Sequence, residues 1–118
     1  MSDQNTLLNF FEFVNSRDMT RLGDLLTDSA EFYFPKTRPL IGKKPILRFF
    51  GILFRQYPEL VFTVKRTIVQ SPLAAVHWTN RGTNRRGEPY QNEGVTILEM
   101  VGPKVEFISD FFKDTGKF

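Results

Sequence analysis

The stretch Lys104-Val105-Glu106-Phe107-Ile108-Ser109-Asp110-Phe111-Phe112-Lys113-Asp114-Thr115 decides how this chain is read. It is a mostly apolar run with the pattern of a strand, and it sets one carboxylate, Asp110, between Ile108 and Phe112. Alternate residues of a strand share a face, so Ile108, Asp110 and Phe112 are expected on one side. Val105, Phe107, Ser109 and Phe111 are expected on the other. An ionised carboxylate on an apolar face costs free energy unless it is paired, hydrogen-bonded or set at the wall of a wet cavity. Asp110 is therefore the first candidate functional residue.

Upstream lie three more strand-like runs, Leu60 to Gln70, Leu73 to Thr83 and Asn92 to Val101, with turn signals at Ser71-Pro72, at 84–89 and at Gly102-Pro103. Before them the pattern is helical. Leu7, Leu8, Phe10, Phe11 and Val14 form one stripe from Asp3 to Asn15, with Asp3 or Thr6 as possible caps. A short helix, Met19 to Leu26, follows a cap at Asp18, and a strand, Ser29 to Phe34, ends at Pro35. After a loop at 36–42, Lys43 to Gln56 reads as a third helix with Pro45 in its first turn. Its buried stripe is Ile46, Phe49, Phe50 and Leu53. Helices first and consecutive strands afterwards indicate an α+β domain on a mostly antiparallel sheet. At 118 residues, the range 1–118 is read as a single domain.

The later strands are apolar on both faces: Val95 and Ile97 oppose Leu98 and Met100. A sheet with one wet face should alternate cleanly, so two covers are needed. The helices supply one; a second subunit, in a homodimer, or the chain's own termini supply the other.

Composition excludes several chemistries. There is no cysteine, and His77 is the only histidine, so disulfides, thiolate metal sites, cysteine nucleophiles and multi-histidine metal sites are ruled out; no metal or cofactor is expected. The net charge of +3 comes from small knots in different elements, Lys43-Lys44, Lys65-Arg66 and Arg81 with Arg85-Arg86, which read as solvated surface rather than as a nucleic-acid face. The N-terminus lacks a signal-peptide pattern and no run is long enough for a membrane span, so no membrane association and a cytoplasmic location are expected.

An ordered set of pieces resembles the SnoaL-like branch of the nuclear transport factor 2-like superfamily. The pieces are Arg17-Asp18…Leu22…Leu25-Leu26, Ala30-Glu31-Phe32, Leu40-Ile41-Gly42-Lys43, Ile46…Phe49-Phe50, Tyr57-Pro58-Glu59-Leu60-Val61-Phe62, His77-Trp78-Thr79…Gly82-Thr83 and Ser109-Asp110-Phe111-Phe112. The resemblance implies a curved sheet wrapped round the first and third helices, a pocket opening at one end, and a homodimer through the outer sheet face. It also implies a small-molecule ligand, although this fold hosts many chemistries as well as plain binders.

Within that resemblance, Asp110 occupies the position of the last-strand catalytic aspartate of SnoaL-type cyclases and limonene-epoxide hydrolases. A carboxylate in an apolar pocket has a raised pKa and can take a proton from a carbon acid. The hydrolases also need an Arg-x-Asp on a neighbouring strand, and Val76-His77-Trp78-Thr79-Asn80-Arg81 has none. Ketosteroid isomerases set their base just before a proline, where this chain has Phe34, which cannot move a proton. A cofactor-independent isomerase, cyclase or lyase acting on a small apolar carbonyl compound is the expectation that survives, with a non-catalytic ligand-binding or protein-interaction module as the alternative. Asp110 and His77 are the catalytic candidates. Tyr33, Phe34, Phe49, Leu53, Trp78, Thr79, Thr96, Ile108 and Phe112 are the candidate substrate-binding residues. His77 and Thr79 share one face of their strand and Trp78 and Asn80 the other; the sequence leaves open which faces inward.

Overall fold

The computed structural model describes residues 2–117. In chain order the elements are α1 Asp3–Ser16, α2 Met19–Leu25, β1 Leu26–Tyr33, β2 Leu40–Ile41, α3 Lys43–Gln56, β3 Val61–Gln70, β4 Leu73–Thr83, β5 Pro89–Val101 and β6 Lys104–Phe112. A turn of 3-10 helix, Thr115–Lys117, follows. The strands form one six-stranded sheet in the order β2-β1-β6-β5-β4-β3. Every neighbouring pair is antiparallel except β1 with β6, which is parallel. This is the expected α+β class.

Several boundaries differ from expectation for local reasons. The α1 cap is Ser2, whose hydroxyl accepts from the Asn5 amide at 3.1 Å, rather than Asp3 or Thr6. β1 begins at Leu26 rather than Ser29, because fully buried Leu26 already pairs with Val105 across an irregular ladder. The loop at 36–42 contains the two-residue β2, paired to β1 through Glu31 and Phe32. β5 starts at Pro89 rather than Asn92; a proline at the first position of a strand costs no ladder bond it could otherwise have made.

The largest correction concerns Val105. In the β5–β6 ladder Met100 faces Val105 while Glu99 faces Phe107, so Glu106 is the extra residue of a bulge. The bulge turns Val105 to the buried face, at 0% exposure, instead of the Phe107 face that strict alternation gave it.

The helices pack on one face of the sheet. Leu7, Phe10, Phe11 and Val14 of α1, and Ile46, Phe50 and Leu53 of α3, are all buried in the core, each contributing about 2 kcal/mol. Opposite them on the sheet stand Val76, Trp78, Leu98, Met100 and Ile108. The inner face of β4 therefore carries Trp78 and Asn80, and His77 and Thr79 point outward. The outer face is not covered among the described residues: Phe111 is 60% exposed and Ile68 71%.

Candidate functional site

Asp110 lies on the inner face of β6, directly opposite Thr96 of β5, which in turn faces Val76 of β4. The pair sits between apolar rows. On one side are Phe112, Gly94 and Trp78, and on the other Ile108, Leu98 and Ala74. Phe34 and Phe49 add a wall of rings: Phe34 lies 4.7 Å from Phe49 and 5.2 Å from Phe112 between ring centroids. Leu53 is buried in the core that α3 brings over this face.

A directed chain of hydrogen bonds runs through this row. Trp78 Nε1 donates to Thr96 Oγ1 at 2.8 Å, and Thr96 Oγ1 donates to Asp110 Oδ1 at 2.6 Å. An indole N–H only donates and an ionised carboxylate only accepts, so with Asp110 charged Thr96 accepts from Trp78 and gives its own proton to the carboxylate. Oδ1 is thereby held as an acceptor, and Oδ2 is left as the oxygen that can gain or lose a proton.

No cation pairs with Asp110 among the described residues. The residue as a whole is half-buried. Burial pushes its carboxyl from the ordinary 3.8 up to about 7, against the smaller opposing pull of the Thr96 hydrogen bond. A carboxyl with its midpoint near neutrality can serve as base and acid in one turnover.

Gly94 makes the geometry possible. A Cβ there would stand 2.8 Å from Trp78 Cζ2 and 2.7 Å from Phe112 Cβ, and would press on the Phe111 carbonyl oxygen. Its absence lets β6 and the indole come close to the strand at this point. At the hairpin end of the same face lies a second polar group. Asn92 Nδ2 donates to the Tyr90 hydroxyl at 3.1 Å and to the Asp114 carbonyl at 2.8 Å, and Asn92 Oδ1 accepts from the Asp114 amide at 3.2 Å. Burial pushes Tyr90 up to about 12. Asn80 Oδ1 is buried without a hydrogen-bond partner among the described residues.

Three of the candidate residues lie elsewhere. His77 is on the outer face, where Nε2 meets Glu93 Oε2 at 2.5 Å; the other oxygen of Glu93 takes the Lys113 ammonium at 2.9 Å. These two partners hold the Glu93 carboxyl below the usual range. Thr79 shares that face. Tyr33 is also outward, its hydroxyl donating to Glu31 Oε1 at 2.6 Å. The structure thus brings together Asp110, Thr96, Trp78, Phe34, Phe49, Ile108 and Phe112, leaves Leu53 in the core, and sets His77, Thr79 and Tyr33 apart from them across the sheet. Arg66 and Arg81 make no ion pair among the described residues.

Sequence reading missed Gly94, Asn92 and Tyr90. A glycine inside an otherwise regular strand was the available signal for the first, and polar residues alternating on the Trp78 side for the others. Surface concavities of about 730, 610 and 420 Å³ involve the outer face and the sheet's hairpin end. Asp110 lines none of them; their titratable groups, Arg81 aside, are Glu59 and Tyr90 in the first, Lys65, Glu93 and Lys113 in the second, and His77, Glu93 and Lys113 in the third. Among the described residues no cluster of three or more metal-ligating side chains occurs, and no helix is long and apolar enough to cross a membrane.

Three helices packed on an open, six-stranded, mostly antiparallel sheet are the nuclear transport factor 2-like architecture. Solved structures agree. A protein of that class of unknown function from Burkholderia pseudomallei superposes with a TM-score of 0.90 at 18% identity, over 99% of this chain and 95% of its own. A candidate polyketide cyclase from Pseudomonas putida gives 0.88 at 14% identity, over 96% and 92%. A candidate ketosteroid isomerase from Kribbella flavida gives 0.77 at 24% identity, over 96% and 78%. The sequence profile of the SnoaL-like domain matches residues 7–107, and the chain belongs to that family. No curated protein matches the chain at a significant level.

Proposed function

We propose that this chain is a cofactor-independent isomerase or cyclase that moves a proton on a small apolar carbonyl compound, with Asp110 as general acid and base. The observation that carries the reading is the Trp78–Thr96–Asp110 chain, which ends in a carboxyl without a cation partner and with a midpoint near neutrality. Oδ2 would take a proton from a carbon next to the carbonyl and return it at another position of the same conjugated system. Phe34, Phe49, Leu53, Ile108 and Phe112 would keep the surroundings apolar, which holds the carboxyl's affinity for its proton high. Asn80 Oδ1, the unpaired acceptor on the same face, would suit an O–H or N–H of the ligand.

The same bonds narrow the substrate. Trp78 spends its single N–H on Thr96, and Thr96 spends its proton on Asp110, so neither is free to hold a developing enolate oxygen. The reading therefore favours a carbon acid that delocalises its own charge, such as a 1,3-dicarbonyl or an extended enone. The neighbours described as candidate cyclase and isomerase accord with this class.

A second reading, a binding module without chemistry, is favoured by the close ring packing around Asp110. The deciding experiment is Asp110→Asn, assayed with 1,3-dicarbonyl compounds and by ligand titration. Loss of turnover with affinity retained supports the enzyme. Unchanged behaviour, or a carboxyl titrating at or below the ordinary aspartate value by carbon NMR, removes it. We also propose a homodimer through the outer sheet face, supported by the exposure of Phe111, Ile68 and Leu73 there.

A further inference from the structure

We infer that a second copy of this chain docks on the outer sheet face in one charge-directed register, with the acidic end of each copy on the basic end of the other. This rests on the homodimer proposed above and adds its orientation. The strand register lays the face out as a grid. At one end Glu31 of β1 and Glu99 of β5 both face Phe107 of β6, with Glu106 beside them in the bulge. In the middle run Ser109, Ile97 and Ala75, followed by Phe111 and Val95. On the far edge strand Arg66 stands opposite His77, in the row of Val95 and Phe111, with Lys65 beside it in the β3 bulge, and at the other end Arg81 stands opposite Gln91.

None of Glu31, Glu99, Glu106, Lys65, Arg66 and Arg81 has an ion-pair partner among the described residues. Glu31 and Glu106 are held only by hydroxyls, from Tyr33 and from Thr27 and Ser29. Lys104, the first residue of β6, lies beyond the acidic row opposite Val101, and Glu93, in the row between those of Arg66 and Arg81, is already paired with Lys113 and hydrogen-bonded to His77. Eight residues of β5 separate Gln91 from Glu99, about 27 Å at ~3.4 Å each. That separation, and the roughly 14 Å along the strands and about 10 Å across them that part Arg66 from Glu99, exceed the screening length of about 8 Å, so the acidic and basic groups do not neutralise each other within one copy. Each end is a like-charge cluster that an opposite cluster on a partner would relieve.

Five strands at ~4.8 Å spacing give the face a width of about 19 Å, hence roughly 500 Å² of sheet plane per copy. Two such faces reach about 1,000 Å², the floor for a specific interface. Contact between like faces requires a two-fold axis lying in the plane of contact. Set across the line joining the acidic and basic ends, that axis makes both charge junctions at once over the apolar middle. The two sets of strands then cross steeply, as in orthogonal sheet packing.

The test uses two full-length variants, Glu31→Lys with Glu99→Lys, and Arg66→Glu with Arg81→Glu, in sedimentation velocity at micromolar concentration. The native chain is expected to be dimeric, and each variant alone at least about tenfold weaker in association, because both junctions become repulsive. An equimolar mixture of the two is expected to dimerise, since a mixed pair restores opposite charges at both junctions. A monomeric native chain overturns the dimer and the register together. A native dimer whose variants associate as tightly as it does, or whose mixture is no tighter than either variant alone, overturns the register and leaves the dimer standing. Should either variant lose its native circular dichroism, the native dimer is titrated with sodium chloride: weakening with salt is expected, and a flat or strengthening response overturns the register.

Discussion

Replacing Asp110 by asparagine should stabilise the protein, and only at high pH. Burial raises the Asp110 carboxyl from 3.8 to about 7. Between those values the folded chain keeps a proton that the unfolded chain has released. Stability then falls as pH rises, by about 1.36 kcal/mol for each pH unit, and levels off above the folded midpoint. The separation of about three in pKa sets a ceiling of about 4 kcal/mol for the loss at pH 8. Water reaching the half-buried residue lowers the realised figure. Asparagine keeps the acceptor for Thr96 and carries no charge, so its stability stays flat across the window. The variant and the native chain should match near pH 4, and the variant should be more stable at pH 8 by 2 kcal/mol or more, up to that ceiling of about 4. Urea unfolding followed by fluorescence of Trp78, the only tryptophan and 2% exposed, measures the gap directly. A gap that does not change with pH, or a variant less stable at pH 8, would refute the desolvated carboxyl and with it the proposed acid–base role.

Thr96→Val leaves the Trp78 N–H buried and unpaired, which should cost about 1–3 kcal/mol in urea unfolding. It should also move the Asp110 midpoint further up in carbon NMR, because the lost hydrogen bond favoured the charged form. Gly94→Ala drives a Cβ against the Phe111 carbonyl oxygen, Phe112 Cβ and the Trp78 ring, so the β5–β6 ladder and the indole must shift; it is expected to destabilise by about 1–3 kcal/mol with a visible shift in Trp78 emission. His77→Gln breaks a part-exposed, solvent-screened pair with Glu93 and should leave the urea midpoint nearly unchanged; in the proposed reaction it should leave turnover unchanged, and a large loss of turnover would place His77 in the chemistry after all.

The fold was legible because its signals are local and repeated. The helical stripe through Leu7, Phe10, Phe11 and Val14, and the long strands from Val61 onward, carry their periods openly. Asp110 was legible for the same reason, as a charge out of place on an apolar face. What stayed hidden depended on register. His77 and Trp78 alternate on one strand with equal claim to the interior, and only the packing of α1 and α3 decides that the indole goes in. The bulge at Glu106 reverses Val105, and no residue type announces it. The Trp78-to-Thr96 bond joins residues eighteen apart on different strands, and the three missed positions, Tyr90, Asn92 and Gly94, acquire meaning only once β5 lies beside β4. Arg66 and Arg81 read as separate surface charges in the sequence, and adjacent strands gather them on one face.

The place of β6 in the sheet has a consequence for how the protein comes into being. It is the last of the six strands to leave the ribosome, yet it lies between β1 and β5. Until it emerges, the nascent chain holds two sheet fragments with open edges, β2–β1 on one side and β5–β4–β3 on the other, and a layer of phenylalanines without its full cover. Such unpaired edges and apolar surface are what chaperones bind and what aggregates if left waiting. The strand that closes the sheet is also the one that carries Asp110, so a chain stalled or cut before β6 lacks both its structural seam and its carboxyl. Quality control by protease and the appearance of the proposed activity would then be governed by the same event, the arrival of β6.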